Sequence, residues 1–173
     1  QTSKKYSQKQ QSNKNESQLS ASLLLKKQAP IVITSNHSEA KYRHDGINNG
    51  ARGYIDSIQT NPDDQNIVEV VWVVFIDSSI GQRLRHDKQN LLNLHKPENQ
   101  LAVPIEKLKK EFKPKSGNIT FQRSQFPLTL AYALTSHKCQ GQTLEEVIID
   151  FADAKVFPGS FYVAITRVKK GDK

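Results

Sequence analysis

Residues 127–151 read PLTLAYALTSHKCQGQTLEEVIIDF, and the organisation of the chain follows from how this stretch is read. Leu128 to Leu134 is apolar, and Cys139 to Gln142 contains a glycine and reads as a turn. Val147 to Phe151 is rich in β-branched residues, which predicts a strand of the parallel type ending near Asp150. Thr143 with Glu146 also fits the capping box of a helix start, but the Val-Ile-Ile run after it favours the strand. A second segment, FYVAITRV from Phe161 to Val168, follows Pro158-Gly159-Ser160. Ser160 is a suitable N-cap, and Phe161, Ala164, Ile165 and Val168 recur on one helical face, with Arg167 on its flank. Strand, turn and helix in this order predict an α/β layer.

The sequence before this stretch has a different texture. Ile31 to Thr34 reads as a short buried strand after Pro30. Asp45 to Gly53 (DGINNGARG) is dense in Gly and Asn and predicts a tight loop. Tyr54 to Gln59 and Ile67 to Asp77 flank Thr60-Asn61-Pro62-Asp63-Asp64, which predicts a hairpin. Val70 to Ile76 is apolar at every position, so both faces of that strand should be covered. Residues 81–100 are polar and predict an irregular loop, and short strands are expected at Leu101 to Ile105 and Ile119 to Gln122. Several short strands at this spacing suggest a small barrel of SH3 type over residues 50–124, with the α/β layer on either side of it in sequence. Trp72, inside the apolar run, suits core packing better than base stacking.

The 173 residues carry a formal net charge of +8, and such a surplus points to a polyanionic partner. The charge is uneven. Sixteen of the first twenty residues are Gln, Ser, Lys or Asn, a composition that cannot offset its ordering entropy, so residues 1–22 are expected to be a disordered basic tail or linker. Six Lys and one Glu up to Lys27 leave only +3 for the remaining 146 residues. That tail is either a solvated linker or a basic arm touching nucleic acid. A single Cys excludes a disulfide framework and a multi-cysteine zinc site. No apolar run approaches the ~18 residues of a membrane helix. The chain contains no Met and begins with Gln, so it is expected to be a piece of a longer polypeptide.

The chemistry is concentrated near the C-terminus. Thr135, Ser136, His137 and Lys138 place four hydrogen-bonding groups at the end of an apolar element, ahead of a Gly-containing turn whose backbone amides can approach a ligand. That composition suits phosphate oxygens. Arg167 offers a planar cation of the kind that stabilises phosphoryl charge. Taken singly, each of these residues reads more readily as a solvated surface group than as a ligand contact.

In this order and spacing, Thr135-Ser-His-Lys-Cys-Gln-Gly-Gln-Thr-Leu144 and Tyr162-Val-Ala-Ile-Thr-Arg167 resemble motifs V and VI of superfamily-one helicases. The resemblance is to the RecD/Pif branch, which includes the helicases of Helitron transposons. Pro30-Ile-Val-Ile-Thr-Ser-Asn36 and Asn49-Gly-Ala-Arg-Gly53 are similar to that family's lead-in to an inserted SH3-like barrel. The resemblance runs over residues 28–171. It implies a RecA-like second lobe with a parallel sheet, divided as lead-in 23–49, SH3-like insertion 50–124 and lobe 125–173. Cys139 and Thr166 stand where Ser is usual, and Ser35 where an Arg commonly precedes the Asn. Cys139 has no paired His/Asn arrangement in sequence, which argues against a nucleophile.

The resemblance implies an ATP-driven motor on single-stranded DNA, moving five-prime to three-prime, with duplex unwinding in DNA maintenance, repair or recombination. Carried over by position, Thr135, His137 and Lys138 would contact the strand, with Asn36, Asn49 and Arg52 as further strand contacts. Gly141 and Gln142 would lie near the terminal phosphates of ATP, and Arg167 would be the arginine finger. The P-loop G-x-x-x-x-G-K-[ST] and the acidic pair for Mg²⁺ do not occur in the 173 residues. They are expected in an N-terminal lobe of the same polypeptide. The nucleus is the expected compartment, with the mitochondrion as the alternative. A non-enzymatic or transposon-derived nucleic-acid-binding remnant is the second reading, and a pure protein-interaction barrel the third. The chain alone is predicted to show no ATPase activity. DNA-stimulated hydrolysis by the isolated chain, abolished by Arg167→Ala, would overturn that expectation.

Overall fold

The computed structural model describes residues 19, 22–112, 120–135, 139–141, 143–150 and 159–169. They fall into two units, residues 1–131 and 132–173. In the first, β1 (Pro30–Ile33) is followed by α1 (Ala40–His44), β2 (Arg52–Thr60) and β3 (Val68–Phe75). Two short helices come next, α2 (Gln82–Asp87) and α3 (Gln89–Leu94), then β4 (Val103–Glu106), β5 (Leu108–Phe112), β6 (Phe121–Gln125) and β7 (Leu128–Leu130). Five strands form one sheet in the order β4-β3-β2-β1-β7, and β5 pairs with β6 in a separate ribbon.

β3 decides this arrangement. Its alternate residues feed two cores. Val71, Val73 and Phe75 join Ile31, Ile33, Ile55, Val103 and Leu128 on one face, while Val70, Trp72 and Val74 meet Ala102 with Tyr54, Leu91 and Leu92 on the other. The two-sided coverage expected from the apolar run is therefore observed from Val70 to Phe75, whereas Ile76, beyond the strand end, is exposed. Trp72 is completely buried and stacks on His95 at 5.8 Å between ring centroids, which makes it a core residue. The hairpin also forms where expected, with Thr60 opposite Val68. Its register slips between Ile55 and Ser57, so Asp56 is the extra residue of a bulge. Asp56 is buried, and its carboxylate accepts the Glu98 and Asn99 amides at 2.9 and 3.0 Å. The loop leading into β4 is thereby tied to the sheet.

The structure differs from expectation in four places. Residues 81–100 are not irregular: α2 and α3 form there because Leu84 enters one core while Leu91 and Leu92 pack on the other. The barrel strands form but close no barrel among the described residues. β1 occupies the edge of β2 that closure would need, and β5 turns away after Lys107 to pair with β6. All strand pairings described are antiparallel, so the expected parallel sheet is not seen among the described residues. The one parallel contact is an isolated bridge between Leu144 and Val168. The expectation for residues 1–22 falls almost wholly outside the described residues, yet Leu19 is buried and its carbonyl accepts Arg123 Nη1 at 2.9 Å.

The Gly/Asn-rich loop is held from a distance. The Asp45 carbonyl accepts the Gly81 amide at 2.9 Å, and its carboxylate accepts the Leu84 amide at 3.0 Å. Asp45 thus caps α2 from 39 residues away, doing what a neighbouring Ser or Asp does in most helices. Gly81, at φ +78°, lies so close to Val103 that a Cβ would sit 2.6 Å from its side chain. The segment after β1 has its own lock. His37 Nδ1 accepts the Glu39 amide at 3.1 Å, and the ring meets Tyr42 edge-on at 4.7 Å. Burial holds the His37 pKa below its ordinary 6.5, with Lys88 and Arg43 adding to the effect and Glu39 and Glu106 opposing it.

Two outcomes are expected. Asp45→Ala should cost about 1 kcal/mol in urea unfolding, the usual value of a lost cap, while Asp45→Asn should retain most of it. For His37, the unfolded chain takes up the proton first as pH falls, so this group's contribution is complete above about 6.5 and is lost below it. The urea midpoint should therefore fall between pH 6.5 and 5, and His37→Asn, which keeps an acceptor, should fall less steeply.

Candidate nucleic-acid and nucleotide site

In the first unit the candidate residues gather where β1 ends. The Ile33 amide donates to the Ala51 carbonyl at 2.8 Å, the Gly50 amide to the Ile33 carbonyl at 2.9 Å, and the Thr34 amide to the Pro127 carbonyl at 2.8 Å. The first two bonds fold the 45–53 loop back over the strand end, and the third ties that end to the residue before β7. Asn36 Oδ1 then accepts the Asn49 amide at 2.8 Å, so two residues 13 apart are brought together, both exposed. The carbonyl oxygen of Asn36 is engaged in holding the loop, and its Nδ2 is the group suited to a phosphate oxygen. Arg52 opens β2, opposite Val32, with a half-buried side chain.

Ser35 is itself buried, and its hydroxyl accepts Lys110 Nζ at 2.7 Å. A cation from β5 therefore stands beside the position that lacks the usual Arg. Sequence reading did not single out Lys110. The signal was the alternation in LKKEF, which puts Lys110 and Phe112 on one face of a strand. Next to Asn36 lies a cavity of about 160 Å³, lined among others by Ser35, His37, Lys88, Glu106 and Lys107. Lys88 and Glu106 pair there at 2.8 Å.

In the second unit, Thr135 is exposed, and Gly141 is exposed at φ +78°, with open space where a Cβ would stand. That backbone conformation favours glycine and leaves the chain accessible to a ligand. His137, Lys138 and Gln142 lie outside the described residues. Cys139 is a free, half-buried thiol. Residues 147–150 are not in a strand, and Phe151 lies outside the described residues.

The helix α4 (Ser160–Ile165) forms as expected, but its N-cap is Gly159 at φ +83°, and Ser160 is its first residue. The left-handed turn at Gly159 starts the helix by geometry, and the Val163 amide reaches the Gly159 carbonyl at 2.9 Å. None of its residues is buried, so the apolar face on which Phe161 and Ile165 lie is not a core face within the described residues.

Arg167 follows the helix end and is half-buried. Its Nε donates to the Val163 carbonyl at 3.0 Å, and Nη2 to Thr166 Oγ1 at 3.0 Å. The Thr166 hydroxyl donates in turn to the Tyr162 carbonyl at 2.8 Å. Helix end, hydroxyl and guanidinium are thus one hydrogen-bonded unit, and the plane of the cation is fixed by its own helix. The backbone joins this unit to the other motif: the Leu144 amide donates to the Arg167 carbonyl at 2.7 Å and the Lys169 amide to the Leu144 carbonyl at 3.3 Å. Leu144, three residues after Gly141, is therefore bonded to Arg167 itself. Among the described residues no group of three His, Cys, Asp or Glu is placed to hold a metal ion, and no helix is long and apolar enough to cross a membrane.

No protein-family model matches the chain. The ATP-dependent DNA helicase Pif1 of Bdellovibrio bacteriovorus is 51% identical over 53 residues, 31% of this chain and 12% of that protein. The PIF1 helicase of Danio rerio is 30% identical over 158 residues, which is 89% of this chain and 19% of that protein. Among solved structures, Pif1 helicase from Candida albicans superposes with a TM-score of 0.56 at 22% identity, over 92% of this chain and 34% of that one. Bacteroides Pif1 in complex with ADP-AlF3 and ssDNA gives 0.51 at 22% identity, over 86% and 28%. The chain thus spans about a fifth or less of the length of these curated relatives. Over most of its length the chain is thus similar to a segment of Pif1-type helicases, in sequence and in fold.

Proposed function

We propose that this chain is the strand-gripping and nucleotide-closing part of an ATP-dependent DNA helicase acting on single-stranded DNA. The observation that carries the reading is the bonded unit of Leu144, Thr166 and Arg167. In a phosphoryl-transfer site the protein contributes mainly positioning and charge, and an arginine whose plane is already fixed loses little freedom on meeting the phosphoryl oxygens. Arg167 is so held by Val163 and Thr166, which makes Thr166 a positioning residue. Gly141 offers accessible backbone for the nucleotide's terminal phosphates, with Gln142 beside it in sequence.

Strand contacts on this reading come from Thr135, His137 and Lys138, with Asn36, Asn49 and Arg52 from the first unit. Strands β2 to β6 are the inserted SH3-like module, and β1, β7 and residues 132–169 belong to the second RecA-like lobe. The P-loop and the Mg²⁺ ligands belong to a further lobe of the same polypeptide. The described residues contain no set suited to Mg²⁺, so no step is assigned to the metal in this chain.

The test uses the full-length protein. Arg167→Ala should lower DNA-stimulated ATP turnover by about 10³-fold or more while leaving oligo-dT affinity within about twofold. Thr166→Val should fall between the two, and Thr166→Ser should stay near the parent. Turnover unchanged in Arg167→Ala would overturn the assignment of the finger, and absence of oligo-dT binding by the parent at low salt would overturn the strand reading.

A further inference from the structure

Asn36 to Glu39 lie between β1 and α1, and their bonds reach into the loop after the helix. The His37 amide donates to the Ile47 carbonyl at 3.1 Å, and Arg43 Nη1 donates to the carbonyls of His37 and Ser38 at 3.0 and 2.6 Å. Asn48 Nδ2 donates in turn to the Arg43 carbonyl at 2.8 Å, and Asn36 Oδ1 accepts the Asn49 amide at 2.8 Å. The His37 side chain closes this network. Its Nδ1 accepts the Glu39 amide at 3.1 Å, and its ring stands edge-on to Tyr42. Tyr42 is a fixed wall, buried, with its hydroxyl donating to Asp87 Oδ2 at 3.1 Å.

The bond from the Glu39 amide sets the protonation state of the ring. Only a ring nitrogen without a proton can accept an amide N–H, so Nδ1 keeps its lone pair and the neutral ring carries its proton on Nε2. Proton uptake makes Nδ1 a donor facing a donor, and the bond is lost. The other bonds of the network come from backbone amides, carboxamides and a guanidinium, and none of these groups titrates between about pH 5 and 8. The charges around the ring are Glu39 and Arg43 of α1, Lys88 between α2 and α3, and Glu106 of β4, with Lys107 lining the same cavity. Behind Tyr42 stand Asp87 and Lys41, the latter 4.4 Å from the ring centre. Burial is the main cause favouring the neutral imidazole; Lys88 and Arg43 add to it, and Glu39 and Glu106 oppose it. The ring borders the cavity of about 160 Å³ next to Asn36, so it can turn without displacing the core.

We propose that His37 is a positioning residue for strand binding: its neutral ring latches residues 36–39 so that Asn36 is presented to single-stranded DNA in one orientation, and protonation opens the latch and loosens the grip. This role rests on the strand-binding reading of Asn36 above and adds to it a residue that does not touch the strand. The sign is diagnostic. A histidine in contact with phosphate binds more tightly once charged, whereas a latch opened by a proton makes acid weaken binding. His37→Asn keeps an acceptor in place of Nδ1 and takes up no proton, so it separates the latch from its titration.

Fluorescence anisotropy of the full-length protein with labelled oligo-dT, at constant ionic strength from about pH 7.5 to about pH 5, tests the latch. It is closed above about pH 6.5 and opens as pH falls below that value. Relative to His37→Asn, a ratio that removes the other four of the five histidines, the parent should match within about twofold at the neutral end and bind about fivefold more weakly at the acid end. His37→Ala should bind about fivefold more weakly than His37→Asn at both ends. In an Asn36→Ala background, His37→Asn should make no difference at either pH, because the latch acts through Asn36. Thermal melting by circular dichroism at each pH establishes that each variant is folded. If the parent and His37→Asn follow the same course with pH, or if the acid loss persists in Asn36→Ala, the latch is overturned while strand binding stands. A gain of affinity by the parent over His37→Asn in acid would also overturn it, by placing His37 on the strand itself. If the parent binds no oligo-dT at neutral pH and low salt, the strand reading fails and the latch with it.

Discussion

A strand with apolar side chains on both faces must be covered on both, and β3 sets this condition for the first unit. One face is satisfied by β1, β2, β4 and β7 with Tyr42, Ile47 and Leu84; the other needs Tyr54, Leu91, Leu92 and Ala102. Full burial of a Val or Ile is worth roughly 1.5–3 kcal/mol, above the roughly 0.5–1.5 kcal/mol of a typical neutral hydrogen bond. The loops therefore adapt to the strand. The helices α2 and α3, the bulge at Asp56 and the close approach of Gly81 to Val103 are all ways of bringing cover to β3.

That requirement reaches the candidate site. Because β1 is locked between β2 and β7, its end delivers Ser35 and Asn36 to a fixed place, and β7 runs directly into the segment that contains Thr135. Asn36 and Asn49 meet because the loop between them must return to the same sheet. In the second unit the organisation is local. A backbone exchange at Leu144 and a threonine hydroxyl hold Arg167, without a large core within the described residues.

Much of this was legible in the chain. The uninterrupted Val70–Ile76 run implied two-sided burial, and the Pro/Asp turn implied the hairpin, because both signals are local. The motif residues were singled out through a resemblance, while the backbone bonding of Leu144 to Arg167 and Lys169 could not be read from the sequence. Other features depend on partners distant in sequence. Leu84, Leu91 and Leu92 are scattered among polar residues, and their value appears only once β3 is there to receive them. The barrel was inferred from strand spacing, but closure depends on which edge of β2 is occupied, and β1 occupies it. Val147 to Ile149 have the residue types of a strand, but a strand needs a neighbour, and the bridge to Val168 is made by Leu144 instead. The partnership of Ser35 with Lys110 spans 75 residues, so no window along the sequence contains it.

Trp72 is the single tryptophan of the chain, buried on β3 and stacked on His95. The tryptophan emission of this chain therefore arises from one chromophore in a dry environment. Its intensity and wavelength are set by the sheet interior and by the neighbouring imidazole, while Thr135, Asn36 and Asn49 lie on the surface. The molecule carries an optical probe of its own folding that is built into the element on which its fold depends, and is shielded from whatever docks outside.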